Sequence, residues 1–375
     1  MPAQRARPIF GRRAPAPVVV HSAPLMLPLA GDPVRDGAVA VRGERVLQVA
    51  ARGDLLARFP GAGERRWPGM IVPGLVDAAS VTSAAEALAH GVTTRARVVT
   101  GGSSRGAAAD PAEHAALPGV GYVEVTCEDE DAWDRRGRDA VVTAMRESDR
   151  PHIVGIAART PDPVVLEDIA VLARTFGLRL LVDLGARSVA ALDEAGVLGP
   201  HCHTTCDRPL DPGERKLLRL RDTVVAVGAA AGPDDVLALL DEGNPLALCT
   251  TLDPGAGTGD GTGSGTGDGT GAAGWIGLLG QARGIRERAR ALGPRPRGLD
   301  RRLVEAATLG GARALGMHRG AGRIGCLVPG GRADFAVFDA RGRYPYSALL
   351  ARPDCLATVV GGRIRTDGTR TAAAT

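Results

Sequence analysis

GMIVPGLVDAAS, residues 69–80, is apolar enough to form a buried strand, and the chain changes character on either side of it. Upstream, from Val18 to about Val72, the pattern is short strands and turns. There GAVAVRGERVLQVA (37–50) alternates apolar and polar residues around Arg42-Gly43, which predicts a hairpin whose glycine accepts a positive φ at the turn. Downstream, from about Val76 to His318, strand, glycine-containing turn and helix repeat. Apolar runs recur at 91–99, 121–127, 152–158, 178–184, 222–228 and 245–250. Amphipathic helical stretches lie between several of them, including 163–177 and 188–199, with Gly177 and Gly199 as stop signals. Strands that alternate with helices imply a parallel sheet, and this many units favours a closed (β/α) barrel over a small open sheet.

Further along, DPGAGTGDGTGSGTGDGTG (253–271) is too rich in Gly, Thr, Ser and Asp to bury apolar surface, which predicts a flexible loop over 253–272. A helical pair follows at 275–293 and 299–317. GRADFAVFDARGR (331–343) and LATVVGGRIRTDG (356–368) then return to the alternating pattern of the N-terminal region. The simplest architecture is an α/β chain whose two ends, 17–73 and 320–368, share one composite β-sandwich. A TIM-like barrel over 74–319 is inserted between them, with a disordered tail at 1–16 and a tail at 369–375.

With 375 residues, 44% of them hydrophobic, the chain can bury a full core. Lys216 is the sole lysine among 46 basic residues, and Ala, Gly and Pro are abundant, so the arginine content reads as compositional bias and not as a binding signal. The net charge of +4 is spread along the chain and aromatics make up 3%, which argues against a nucleic-acid partner. The six cysteines (Cys127, Cys202, Cys206, Cys249, Cys326, Cys355) are scattered, so no disulfide framework is implied and a reducing, cytoplasmic setting fits. Pro17, Pro24 and Pro28 interrupt the apolar stretch near the start, and no run of about 18 apolar residues exists, so neither a signal peptide nor a membrane span is expected.

Three segments resemble the amidohydrolase superfamily, in particular its imidazolonepropionase and aminodeoxyfutalosine-deaminase-like branch. They are DGAVAVRGERVLQVA (36–50) running on to MIVPGLVDAAS (70–80), then EAATLGGARALGM (305–317), then GRIGCLVPGGRADFAVFDA (322–340) with VVGGRI (359–364). The resemblance implies a barrel with its active site at the C-terminal strand ends. It also implies one or two divalent metals that lower the pKa of a bound water. The implied ligands are a His-x-His on the first strand, a His on the fifth, a His on the sixth and an Asp on the eighth.

At each implied ligand position this chain holds something else. PGLVDAASV (73–81) puts Ala79 and Val81 where both first-strand histidines would be, and neither side chain carries a lone pair. The stretch before the next strand is also shorter than in the family. LRLLVDLGAR (178–187) puts Asp183 at the fifth-strand position, and LGPHCHTTCDRPLDPGE (198–214) puts Cys206 at the sixth. PLALCTTLDPG (245–255) puts Thr251 at the eighth, which removes a ligand and the general base together. The segment that matches the family's substrate-binding Ser-Pro-His, GIAARTPDP (155–163), has Ala158 or Arg159 in place of its His.

These losses predict a pseudoenzyme with no cofactor, which keeps the scaffold and binds a small ligand in the old pocket or serves as a partner of an active enzyme. Asp183, Arg159 and Thr251 are the candidate ligand-binding residues. The alternative is an active hydrolase or deaminase acting on a non-peptide C–N bond of a cyclic amidine, purine-like or imidazolone-type substrate. Zinc or iron would then be held by Asp183, His201, His203 and Cys206, the last three drawn from HCHTTC (201–206) in a loop after Pro200. Cys127 is expected to be a small buried hydrophobe at a strand end, EDED (128–131) a solvated helix start, and His21, His90, His114, His152 and His318 structural. A second copy of the chain is an allowed partner; nucleic acid and membrane are not.

Overall fold

The computed structural model describes residues 16–99, 117–147, 153–185, 187–228, 231–250, 277–293 and 297–368. The loop expected over 253–272, the tails apart from residue 16, and Thr251, His114 and His152 lie outside the described residues. Five strands open the chain: β1 (Val18–Met26), β2 (Val34–Arg42), β3 (Arg45–Ala51), β4 (Gly63–Arg66) and β5 (Met70–Pro73). The alternation seen in the sequence becomes the β2–β3 hairpin, with Gly43 at φ +56° in its turn.

Eight parallel strands follow: β6 (Leu75–Asp77), β7 (Val92–Val99), β8 (Gly119–Val125), β9 (Ile153–Ala158), β10 (Arg179–Asp183), β11 (Cys202–Cys206), β12 (Val224–Val227) and β13 (Leu246–Leu248). They are hydrogen-bonded in sequence order from β6 to β13, and the Ala78 amide reaches the Leu248 carbonyl at 3.3 Å across the seam between the two ends. The result is a nearly closed TIM-like barrel. Side chains alternate as a barrel requires. Val76, Ala96, Val120, Tyr122, Ala157 and Leu181 cluster inside it, while Ile156, Leu180, Val182 and Val225 pack outward with the helices.

β14 (Phe335–Phe338), β15 (Cys355–Val360) and β16 (Arg363–Asp367) return to the first sheet, whose order is β16-β15-β14-β5-β1-β2-β3, with β4 beside β1. β5 is the junction, parallel to β1 and antiparallel to β14, so the two ends of the chain share one sheet. Trp67, Ile71, Met26, Phe335 and Val337 fill its core. His21 lies there too, accepting from the Trp67 indole at 3.3 Å, and burial lowers its pKa to about 4. It is a neutral core group.

Local signals account for the helix ends. Asp162 caps Pro163–Phe176 by accepting from the Val164 and Val165 amides, and Gly177 closes that helix at φ +66°. Ser83 with Glu86, and Asp211 with Glu214, form capping boxes. The helix read over 188–199 is shorter than its pattern: it covers Val189–Glu194 and turns at Gly196, φ +67°, so Gly199 is not its stop. The helix read over 299–317 is interrupted. It runs Leu299–Glu305, widens over Ala306–Gly310, and resumes as Gly311–Ala314. A Cβ on Gly310 would lie 2.0 Å from the Leu246 carbonyl oxygen, and one on Gly311 2.3 Å from that of Val76. The two glycines thus let this segment lie directly on β13 and β6, over the seam.

Candidate functional site

A cavity of about 680 Å³ opens at the C-terminal ends of the barrel strands. Its buried apolar lining comes from Ala79 after β6, Ala96 of β7, Ala157 of β9 and Leu181 of β10, and Val81 and Val98 lie nearer its rim. Ser80, Thr82, Ser83 and Thr205 add hydroxyls, while Arg97, Arg159, Asp183 and Asp207 supply charge. Among the described lining residues no side chain is aromatic.

Of the residues singled out in the sequence, Ala79, Val81, Arg159, Asp183 and Cys206 line this cavity together. Asp183 ends β10 with its carboxylate exposed and accepts from the Gly185 amide at 3.0 Å. Arg159 pairs with Glu124 of β8 at 3.1 Å. Next to them the Arg187 guanidinium donates to the Ala158 carbonyl at 2.7 Å; burial lowers its pKa, opposed by Asp183 and reinforced by the Arg159 charge.

HCHTTC is not a loop. It contributes β11, and an extended strand spreads its donors along the barrel axis. His201 precedes β11 at the opposite end of the barrel, roughly 16 Å of strand away from Cys206. His203 points inward at mid-height and is fully buried. Its Nε2 donates to the Ala78 carbonyl at 2.9 Å, and its Nδ1 lies 3.4 Å from the Tyr122 hydroxyl, which can donate to it. Burial first, then the Arg179 charge, push its pKa down to about 3, so the ring is neutral and both nitrogens are engaged.

The β10–β11 register places Thr205, not Cys206, level with Asp183. Cys206, one residue on, packs with the outer core while touching the cavity. Its thiol donates to the Arg208 carbonyl at 3.1 Å, and burial pushes its pKa up to about 11. Cys127 follows β8 outside the cavity lining, half-buried, with its pKa raised by burial.

Zinc requires about four N, S or O donors converging on one point. The described strand ends offer Ala79, Val81 and Thr205 beside Asp183 and Cys206. Among the described residues no group of three or more His, Cys, Asp or Glu side chains could hold an ion. The described residues, which stop short of Thr251, do not by themselves fit a zinc centre.

Sequence reasoning did not single out Asp77. It ends β6 fully buried, and its carboxylate accepts from the Thr250 hydroxyl at 2.5 Å, the Thr250 amide at 3.1 Å and the Ala79 amide at 3.3 Å. Burial raises its pKa, and those hydrogen bonds oppose the rise. An acidic residue inside the apolar run 69–80 was the available signal, because such a carboxylate needs partners.

Solved structures match the barrel and its shared sheet over almost the whole chain. A zinc-bound adenosine deaminase from Xanthomonas campestris aligns with a TM-score of 0.73 at 18% identity, covering 96% of both chains. Atrazine chlorohydrolase from Arthrobacter aurescens TC1, complexed with zinc, gives 0.71 at 15% identity over 95% of this chain and 98% of that one. Aminofutalosine deaminase from Helicobacter pylori gives 0.69 at 13%, over 93% and 100%. These structural neighbours are members of the amidohydrolase superfamily. At such identities the likeness shows the fold alone. No family model matches the chain, and no curated protein does.

Proposed function

We propose that this chain is an amidohydrolase-fold protein that has given up metal-dependent hydrolysis and uses the cavity at its barrel mouth to bind a small molecule. The observation that carries the reading is the donor set at the described strand ends: Ala79, Val81 and Thr205 cannot supply what a zinc-bound water requires, and the carboxylates lining the cavity are Asp183, level with Thr205, and Asp207. The 680 Å³ cavity is within the range of small-molecule sites, so binding survives the loss of chemistry. Melting the purified protein with added zinc, iron(II) or manganese, and with a chelator, tests this. An ion at a hundredfold over its Kd would add about 2.7 kcal/mol of stability, so the reading expects superimposable curves, and a metal-dependent rise in Tm would contradict it.

A second reading is supported by Asp183 and Cys206 lining the same cavity. The protein would then be a hydrolase or deaminase acting on a non-peptide C–N bond, with those two residues as remaining donors. Turnover of a cyclic amidine, purine or imidazolone that disappears in D183A and C206A would favour it over the first.

A further inference from the structure

Buried side chains tie the end of β6 to the segment that follows β13 and to β11. Asp77 reaches across the seam to Thr250, two residues past β13, with both its hydroxyl and its amide as donors. Backbone pairing at that seam is sparse: among the described residues the two ends meet in the Ala78-to-Leu248 bond at 3.3 Å. From the opposite wall His203 of β11 donates to the Ala78 carbonyl, and Tyr122 of β8 abuts the same imidazole. Around these contacts Ala78, Ala79, Val224, Ala226, Ala247 and Cys249 form an apolar cluster. A hydrogen bond in such dry surroundings is electrostatically stronger than in water, and breaking it strands a buried polar group.

We propose that Asp77 is a positioning residue: with His203 as its counterpart, it latches the end of β6 onto the rest of the barrel, so that the cavity keeps its shape with no ion in it. This rests on the metal-free reading above. The carboxylate suits the task because the groups that approach it, the Thr250 and Ser80 hydroxyls and the Thr250 and Ala79 amides, can all donate. An uncharged side chain of similar size could not accept all of them with full strength.

Local hydrogen exchange of the full chain tests the latch. T250V keeps the volume and removes the hydroxyl; T250S restores it. T250V should speed exchange of the Ala79 and Thr250 amides about tenfold or more, T250S should return them to the wild-type rate, and the distant β15–β16 hairpin should not change. This pair reads the latch even where D77A fails to fold. Wild-type rates in T250V, or acceleration spread equally over barrel and hairpin, would overturn the proposal. Chelator added to wild type distinguishes it from the reading beneath it. If chelation alone loosens β6 and β13, an ion holds the seam and both fall. If chelation has no effect and T250V exchanges like wild type, the latch alone falls.

Discussion

Both ring nitrogens of His203 are committed, Nε2 to the Ala78 carbonyl and Nδ1 to the Tyr122 hydroxyl, and this fixes how the residue responds to acid. Its folded pKa, about 3, lies below the value of 6.5 for an unperturbed imidazole. The unfolded chain therefore binds the extra proton first, and stability falls as the pH drops through the window from about 6.5 to about 3. His21 acts with the same sign and Asp77 with the opposite one, so the wild-type profile is composite. Denaturant unfolding of wild type and H203Q over that window isolates the group: wild type should lose stability relative to the variant by up to about 1.4 kcal/mol per pH unit. Parallel profiles would mean that the histidine is not held neutral. Residue identity in the sequence carried part of this. HCHTTC announced donors, but whether a histidine binds a metal or a carbonyl depends on which face of which strand it occupies. That Thr205 lies level with Asp183 was invisible without the β10–β11 pairing.

At the level of elements, the segments that resembled a family proved to be those where backbone approaches backbone. EAATLGGARALGM owes its form to Gly310 and Gly311, which bring a helical segment onto β13 and β6 more closely than any Cβ allows. Replacing Gly311 by Ala should destabilise the protein by about 1–3 kcal/mol, read as a lower denaturation midpoint with an unchanged m-value. A variant as stable as wild type would show that the helix can retreat from Val76. Gly53, in an exposed turn of helix with nothing within 4 Å of its would-be Cβ, is the control. Strand positions were legible because the apolar runs between glycines match β7 to β10, β12 and β13 within a few residues; β11, built from polar HCHTTC, was read as a loop. Helix interruptions were not. The widened turn at Ala306–Gly310 and the early end at Glu194 depend on what the helix meets, and hydrophobic period does not report that.

At the scale of the molecule, the order of segments was enough to place the barrel between the two halves of one sheet. The two ends are joined through β5 because GMIVPGLVD passes from one sheet into the other, with Gly74 packed against Thr93 at the crossing. At the site, the PGLVDA register was enough to bring Ala79 and Val81 to the barrel mouth, where both line the cavity. What replaced the missing groups was not legible, because the contacts of Asp77 and His203 join residues 173 and 125 positions apart. The central claim, a barrel-mouth cavity that works without a metal ion, is tested most directly by elemental analysis of protein purified without chelator from metal-supplemented cells. The account predicts zinc, iron and manganese each far below one equivalent per chain. About one equivalent of any of them, retained through gel filtration and lost in D183A, would contradict it.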